Sequence, residues 1–159
     1  MKKPLLAKTS MDTSIEELAG RTDHRTLAIW AADCAERVLP YFEERYPDDN
    51  RPRKAIDALR TWIQTGVFRM ADIRKDALAA HAAAREVEAY HPARSAARAA
   101  GQALATAHVP RHALAAAIYA ATTVRDATNS SDAEGATIRE REWQYRHLRE
   151  VGKGGCDHP

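Results

Sequence analysis

Four histidines, His81, His91, His108 and His112, and two groups of charged residues are the side chains whose types and spacing could do chemistry. His81 and His108 border apolar faces, and His91 and His112 fall near helix starts. Together with Arg85, the trio His81, His108 and His112 could line a polar pocket, with Asp33 as a further ionisable member, where burial would shift titration. Structural histidines are the plainer reading. Metal ligation is disfavoured, because His108 and His112 are four apart but Pro110 interrupts the helical turn that such ligands need. No metal and no cofactor is expected.

The first charged group lies on a long helix. Asp33 flanks its core stripe with Arg37 one turn later, an intrahelical pair worth about 0.2–0.5 kcal/mol. Either this is a boundary salt bridge, or Asp33 and Glu36 present carboxylates to a partner. The second group is a turn in which Glu43, Glu44, Asp48 and Asp49 precede Arg51, Arg53 and Lys54. A solvated loop would look like this, and so would a docking edge, since mixed charge favours orientation and association rate in an interface. No glycine-rich phosphate loop, paired-cysteine zinc motif, nucleophile elbow or HExxH occurs, which lowers the expectation of an enzyme.

The elements that must position these residues read as helices throughout. From Ala71 to Ala127 the chain is dominated by alanine, the best helix former, and Pro92 and Pro110 punctuate it into helices of roughly 72–90, 92–108 and 110–127. Gly101 costs propensity but admits a close neighbour. The third of these helices has no Lys, Arg, Asp or Glu from His112 to Val124 and is expected to be the central, most buried one. Upstream, Ser14 and Glu17 form a capping box for a short helix ending at Gly20, and Asp23 caps a long helix to about Arg45 with a stripe of Leu27, Trp30, Ala31, Cys34, Val38, Tyr41 and Phe42. Pro40 should kink that helix or end it early. Asp49 or Asn50 caps the next, which Gly66 stops. A second box, Ser131 and Glu134, opens a last helix to about Glu150, with Ile138, Trp143, Tyr145 and Leu148 packing it as a lid.

No period-2 alternation appears, so the fold expected is all-α: a single compact bundle of about six or seven helices with an alanine-rich core. Residues 1–12 are expected to be a mobile arm, 13–150 the helical domain and 151–159 a flexible tail. A chain of 159 residues with 45% hydrophobic and 29% charged content suits one such domain. The net charge of +2 includes no basic tail, giving little support for nucleic-acid binding. No stretch is long and apolar enough for a membrane span. Cys34 and Cys156 make no disulfide framework, and the run after Lys3 is too short for a signal peptide, so the expected location is the cytoplasm.

The run Trp30-Ala-Ala-Asp33-Cys34-Ala-Glu36-Arg37-Val-Leu-Pro40, followed by Arg51-Pro-Arg53-Lys-Ala-Ile56 and Trp62, resembles the immunity proteins of the immunity-five-like family. Ala80-His81-Ala-Ala-Ala-Arg85, Ala97-Arg98-Ala-Ala-Gly101, His108 and His112 extend the resemblance, and Trp143-Gln144 is a weaker echo. It implies an all-helical protein of bacterial toxin and immunity systems that binds and neutralises a cognate toxin, and it supplies neither catalytic residues nor the toxin's identity. The expected interface residues are Asp33, Glu36, Arg37, Asp48, Asp49, Arg51 and Arg53. Self-association is a further possibility, and the alternative function is a ligand-binding or enzymatic bundle built on the histidine pocket.

Overall fold

The computed structural model describes residues 3–154, and among them every regular element is an α-helix. In chain order these are α1 (Asp12–Gly20), α2 (His24–Glu43), α3 (Arg51–Thr65), α4 (Met70–Arg85), α5 (Pro92–Ala105), α6 (His112–Ala127) and α7 (Ala133–Gly154). The core divides its labour between chain halves. The large buried side chains come mostly from α2 and α3, with Trp30, Leu39, Phe42, Ile56 and Leu59 all at 1% exposure or less. Burying each such aliphatic side chain contributes about 1.5–3 kcal/mol. The alanines of α4, α5 and α6 supply the smooth surface that receives them.

The central helix is α5, not α6. It packs against α2, α3, α4 and α6, and Ala93, Ala96, Ala97, Ala99, Ala100 and Ala103 are all fully buried. On α6, Leu114, Ala115, Ile118 and Tyr119 stay partly exposed. Freedom from charge marked α6 as tolerant of burial; small residues on nearly every side are what let α5 take neighbours all round. The closest approach is at Gly101, where a methyl group would stand 2.8 Å from the His81 ring.

Helix ends follow local chemistry, with several corrections. Asp23 accepts from the Thr26 amide (2.9 Å) to start α2, and Gly66, at φ +66°, stops α3 with its amide on the Trp62 carbonyl (2.8 Å). The first capping box is built one turn earlier than expected: Thr9 caps the Met11 amide, and Asp12 accepts from the Thr9 amide and hydroxyl, so Ser14 lies inside α1. Pro40 does not end α2, which continues to Glu43; so near the C-terminus the missing donor costs a single hydrogen bond. Helix α4 stops at Arg85 instead of Tyr90. His91 precedes proline and is held extended at ψ 132°, and Tyr90 turns the chain with φ +67°.

Residues ahead of α1 contact α6 and the segment between α4 and α5. Ala7 is buried and donates to Thr122 Oγ1 (3.0 Å), Arg125 donates to the carbonyls of Pro4 (2.7 Å) and Leu5 (3.0 Å), and Tyr90 donates to that of Lys3 (3.0 Å). Helix α7 runs on to Gly154, and residues 155–159, with Cys156, lie outside the described residues. Its inner face is also unexpected. Thr137, Glu140, Arg141, Gln144 and Leu148 are buried, whereas Ile138, Trp143 and Tyr145 sit at its margins. Among the described residues no helix is long and apolar enough to cross a membrane.

Candidate functional site

Asp33, Glu36 and Arg37 project from α2 just outside its apolar stripe, and each is met by another helix. Asp33 receives Arg60 of α3 (3.0 Å) on one oxygen and His147 of α7 (2.7 Å) on the other. Arg37 grips Glu140 of α7 through two bonds, 2.8 and 2.9 Å, and lies 3.7 Å from the Trp143 ring centroid. The intrahelical Asp33–Arg37 pair does not form. A bidentate cross-helix carboxylate is the stronger partner for a guanidinium, and Arg37 is accordingly shifted upward by its bonds to Glu140. Arg53 joins Glu43 (2.7 Å) to Glu36 (3.2 Å), and Glu36 also meets Arg60. Burial opposes the charge on Arg60, and Asp33 with Glu36 more than offset it. Behind Trp143, His147 stacks at 4.6 Å. The result is a continuous ionic seam over α2, α3 and α7 with a shallow depression at Trp143.

The turn residues form a separate clamp. Asp49 accepts from the Arg51 amide (3.1 Å), which caps α3, and pairs with the Arg51 guanidinium (2.7 Å); Arg51 also reaches Glu86 beyond α4 (2.6 Å). The Arg51 hydrogen bonds hold the Asp49 carboxyl below the usual range. Asp48 is exposed and has no ion-pair partner among the described residues. The seven expected interface residues therefore fall into a seam (Asp33, Glu36, Arg37, Arg53), a clamp (Asp49, Arg51) and one free carboxylate.

His81, His108 and His112 do come together. They line a pocket of about 370 Å³ between α4 and the α5–α6 turn, with Met70, Ile73, Ala77, Leu78 and Gln102. His112 Nδ1 is 2.8 Å from Gln102 Oε1, and His108 stacks on Phe68 at 5.9 Å between centroids. His81 Nδ1 is buried with no hydrogen-bond partner. Burial, then the nearby Arg98, Arg85 and His112, depress its pKa to about 4, so its ring is neutral at pH 7. Two members of the expected pocket are absent from its lining. Asp33 belongs to the ionic seam, and Arg85 is exposed one turn along α4. His91 instead caps α5, its Nδ1 accepting from the Ala93 amide (3.1 Å). Among the described residues no group of three His, Cys, Asp or Glu side chains could hold a metal ion.

The pocket opens onto a distinctive surface. Positions 74, 78, 81 and 85 share one face of α4, giving the stripe Arg74, Leu78, His81 and Arg85. Around it Val67, Phe68, Met70 and Val109 are exposed. Arg85, Arg94 and Arg98 lie close enough together for the neighbours of Arg98 to lower its pKa, after burial. Sequence reasoning found the histidines through their places at stripe margins. It missed Arg60, Glu140 and His147, whose partners lie on other helices, although Trp143 and His147 at i and i+4 were a readable pair.

No curated protein and no solved structure matches the chain. The family model described as "Imm-5 like putative immunity protein" matches residues 17–151, a span from α1 into the last turns of α7 that contains the seam, the clamp and the histidine pocket. The chain belongs to the Imm-5 like immunity protein family.

Proposed function

We propose that this chain neutralises a bacterial toxin by binding it through a protein–protein interface and performs no catalysis of its own. The observation that carries this reading is the family match across nearly the whole helical bundle. The fold suits the task. Cross-helix ion pairs and a close-packed alanine core keep the surface in one arrangement, so little ordering is needed on binding. An interface of roughly 1,200–2,000 Å² in total is the size expected. The seam and turn residues, with the free Asp48, are one candidate surface; the apolar and cationic surface around the histidine pocket is the other.

Co-expression with a toxin domain encoded alongside the chain tests the function. Growth is expected to recover, and the purified pair should form a complex whose inhibition saturates at one chain per toxin, with the toxin's mass unchanged. Full inhibition at a small fraction of that ratio, with a covalent change in the toxin, would establish an enzyme instead.

A further inference from the structure

The two candidate surfaces differ in how their charges are already satisfied. On the seam and clamp, Arg37, Arg51, Arg53 and Arg60 each hold a carboxylate of this chain. A partner's carboxylate would have to displace one and strand it. Around the histidine pocket, Arg74, Arg85, Arg98 and Arg111 have no ion-pair partner among the described residues. The acids on and just beyond α4 form no ion pair with them: Asp76 is turned to Lys54 (3.7 Å), Glu86 to Arg51, and Asp72, in the first turn, is exposed without an ion-pair partner among the described residues.

Exposed apolar surface gathers at the same place. Of the eight large hydrophobic residues left exposed among the described residues, five (Val67, Phe68, Met70, Leu78 and Val109) belong to this surface, Leu78 at 55%. An apolar cluster beside a pocket is the usual anatomy of an interface centre. The pocket volume accepts one large side chain, and Met70, Ile73, Ala77 and Leu78 give it apolar walls.

We propose that the groove formed by α4 and the α5–α6 turn docks an acidic segment of a partner protein, with an apolar side chain of that segment seated between Leu78, His81, Gln102 and His112. The proposal rests on the toxin-binding reading and names the surface that performs it. A second copy of this chain fits poorly, because a two-fold contact would set these cations against themselves. Nucleic acid would satisfy the arginines but leave Leu78, Met70 and Val109 without apolar partners.

The groove can be tested before any toxin is in hand. A labelled peptide of alternating Glu and Leu is titrated against the full chain and followed by anisotropy and by imidazole NMR signals. The same titration is run with a Lys and Leu peptide and with single-stranded RNA. The Glu and Leu peptide should shift the His81, His108 and His112 signals and bind at least tenfold more tightly than either control. Leu78→Asp and the double variant R74E/R85E should each weaken it at least tenfold with an unchanged melting temperature; Leu78, Arg74 and Arg85 are exposed, so their replacement leaves the core intact. Histidine signals that do not move, equal binding of the Lys peptide, tighter binding of RNA, or self-association relieved by Leu78→Asp would each overturn the groove proposal. With a toxin, the peptide should compete for the complex. A peptide that binds but does not compete overturns the toxin's use of the groove and leaves neutralisation standing, whereas a toxin that is never neutralised defeats the functional reading itself.

Discussion

His81 and Gly101 meet so closely that each defines what the other can be. A methyl at residue 101 would press on Cε1 and Nε2 of the imidazole at 2.8 Å, and in a packed core such overpacking costs about 1–3 kcal/mol. Gly101→Ala should lower unfolding free energy by that amount in urea titrations. The double variant G101A/H81A should recover part of the loss, because the clash is pairwise; strict additivity would place the cost elsewhere. Titration of His81 gives a second prediction. Its folded pKa, about 4, lies below the ordinary 6.5, so between those values the unfolded chain binds the proton first and stability falls as pH drops. Above about pH 6.5 the effect vanishes, and below about 4 it is complete. Urea midpoints from pH 7 to 4 should fall more steeply for the wild type than for His81→Gln, and parallel curves would contradict the buried neutral ring. The sequence placed His81 correctly at the margin of an apolar stripe. It could not show that Arg98 would depress the same ring, because that contact joins two helices.

At the scale of elements, α7 is held by polar contacts where an apolar seam was expected. Gln144 donates to the Ala117 carbonyl (2.9 Å) and accepts from Arg141 (2.8 Å), while the Trp30 indole donates to the Gln144 carbonyl (2.9 Å). Arg141 also reaches Asp12 on α1 (3.0 Å). Gln144→Leu should therefore destabilise by about 2–4 kcal/mol despite its added apolar surface, because it removes a partner from a buried guanidinium. A neutral or stabilising result in thermal melts would show that the seam tolerates hydrophobic replacement. This element also marks how far sequence reading reached. Periodicity located α7 and the alanine helices, since helix propensity and proline placement are local properties. Which face of α7 turned inward was not legible, because Ile138, Trp143 and Tyr145 are the natural apolar choices, whereas the buried Glu140, Arg141 and Gln144 meet Arg37, Asp12 and Ala117, all more than twenty residues away in sequence. The same limit made α6 look central. Absence of charge is read along the chain, whereas the four neighbours of α5 exist only in three dimensions.

Across the whole molecule, the two charged surfaces have different roles to play. The seam joins α2, α3 and α7 through Arg37–Glu140, Arg53–Glu36 and Arg60–Asp33, and spends its charge internally. The groove leaves its cations and its apolar side chains unmatched. Binding should accordingly weaken as salt rises, through screening of the groove arginines, and Asp48→Lys should change toxin affinity by less than threefold. A tenfold or greater loss with Asp48→Lys would return the interface to the turn. The seven seam and turn residues were legible as charged groups, but the seam's pairing was not, since Arg60, Glu140 and His147 reach Asp33 and Arg37 from other helices.

The most direct measurement is a calorimetric titration of the purified chain into the toxin whose growth arrest it relieves, run with the wild type and with R74E/R85E. The account predicts one chain per toxin for the wild type and at least a tenfold weaker Kd for the double variant at unchanged melting temperature. A wild-type affinity retained by R74E/R85E would contradict the groove as the binding surface, and no heat of binding by the wild type would contradict neutralisation by direct association.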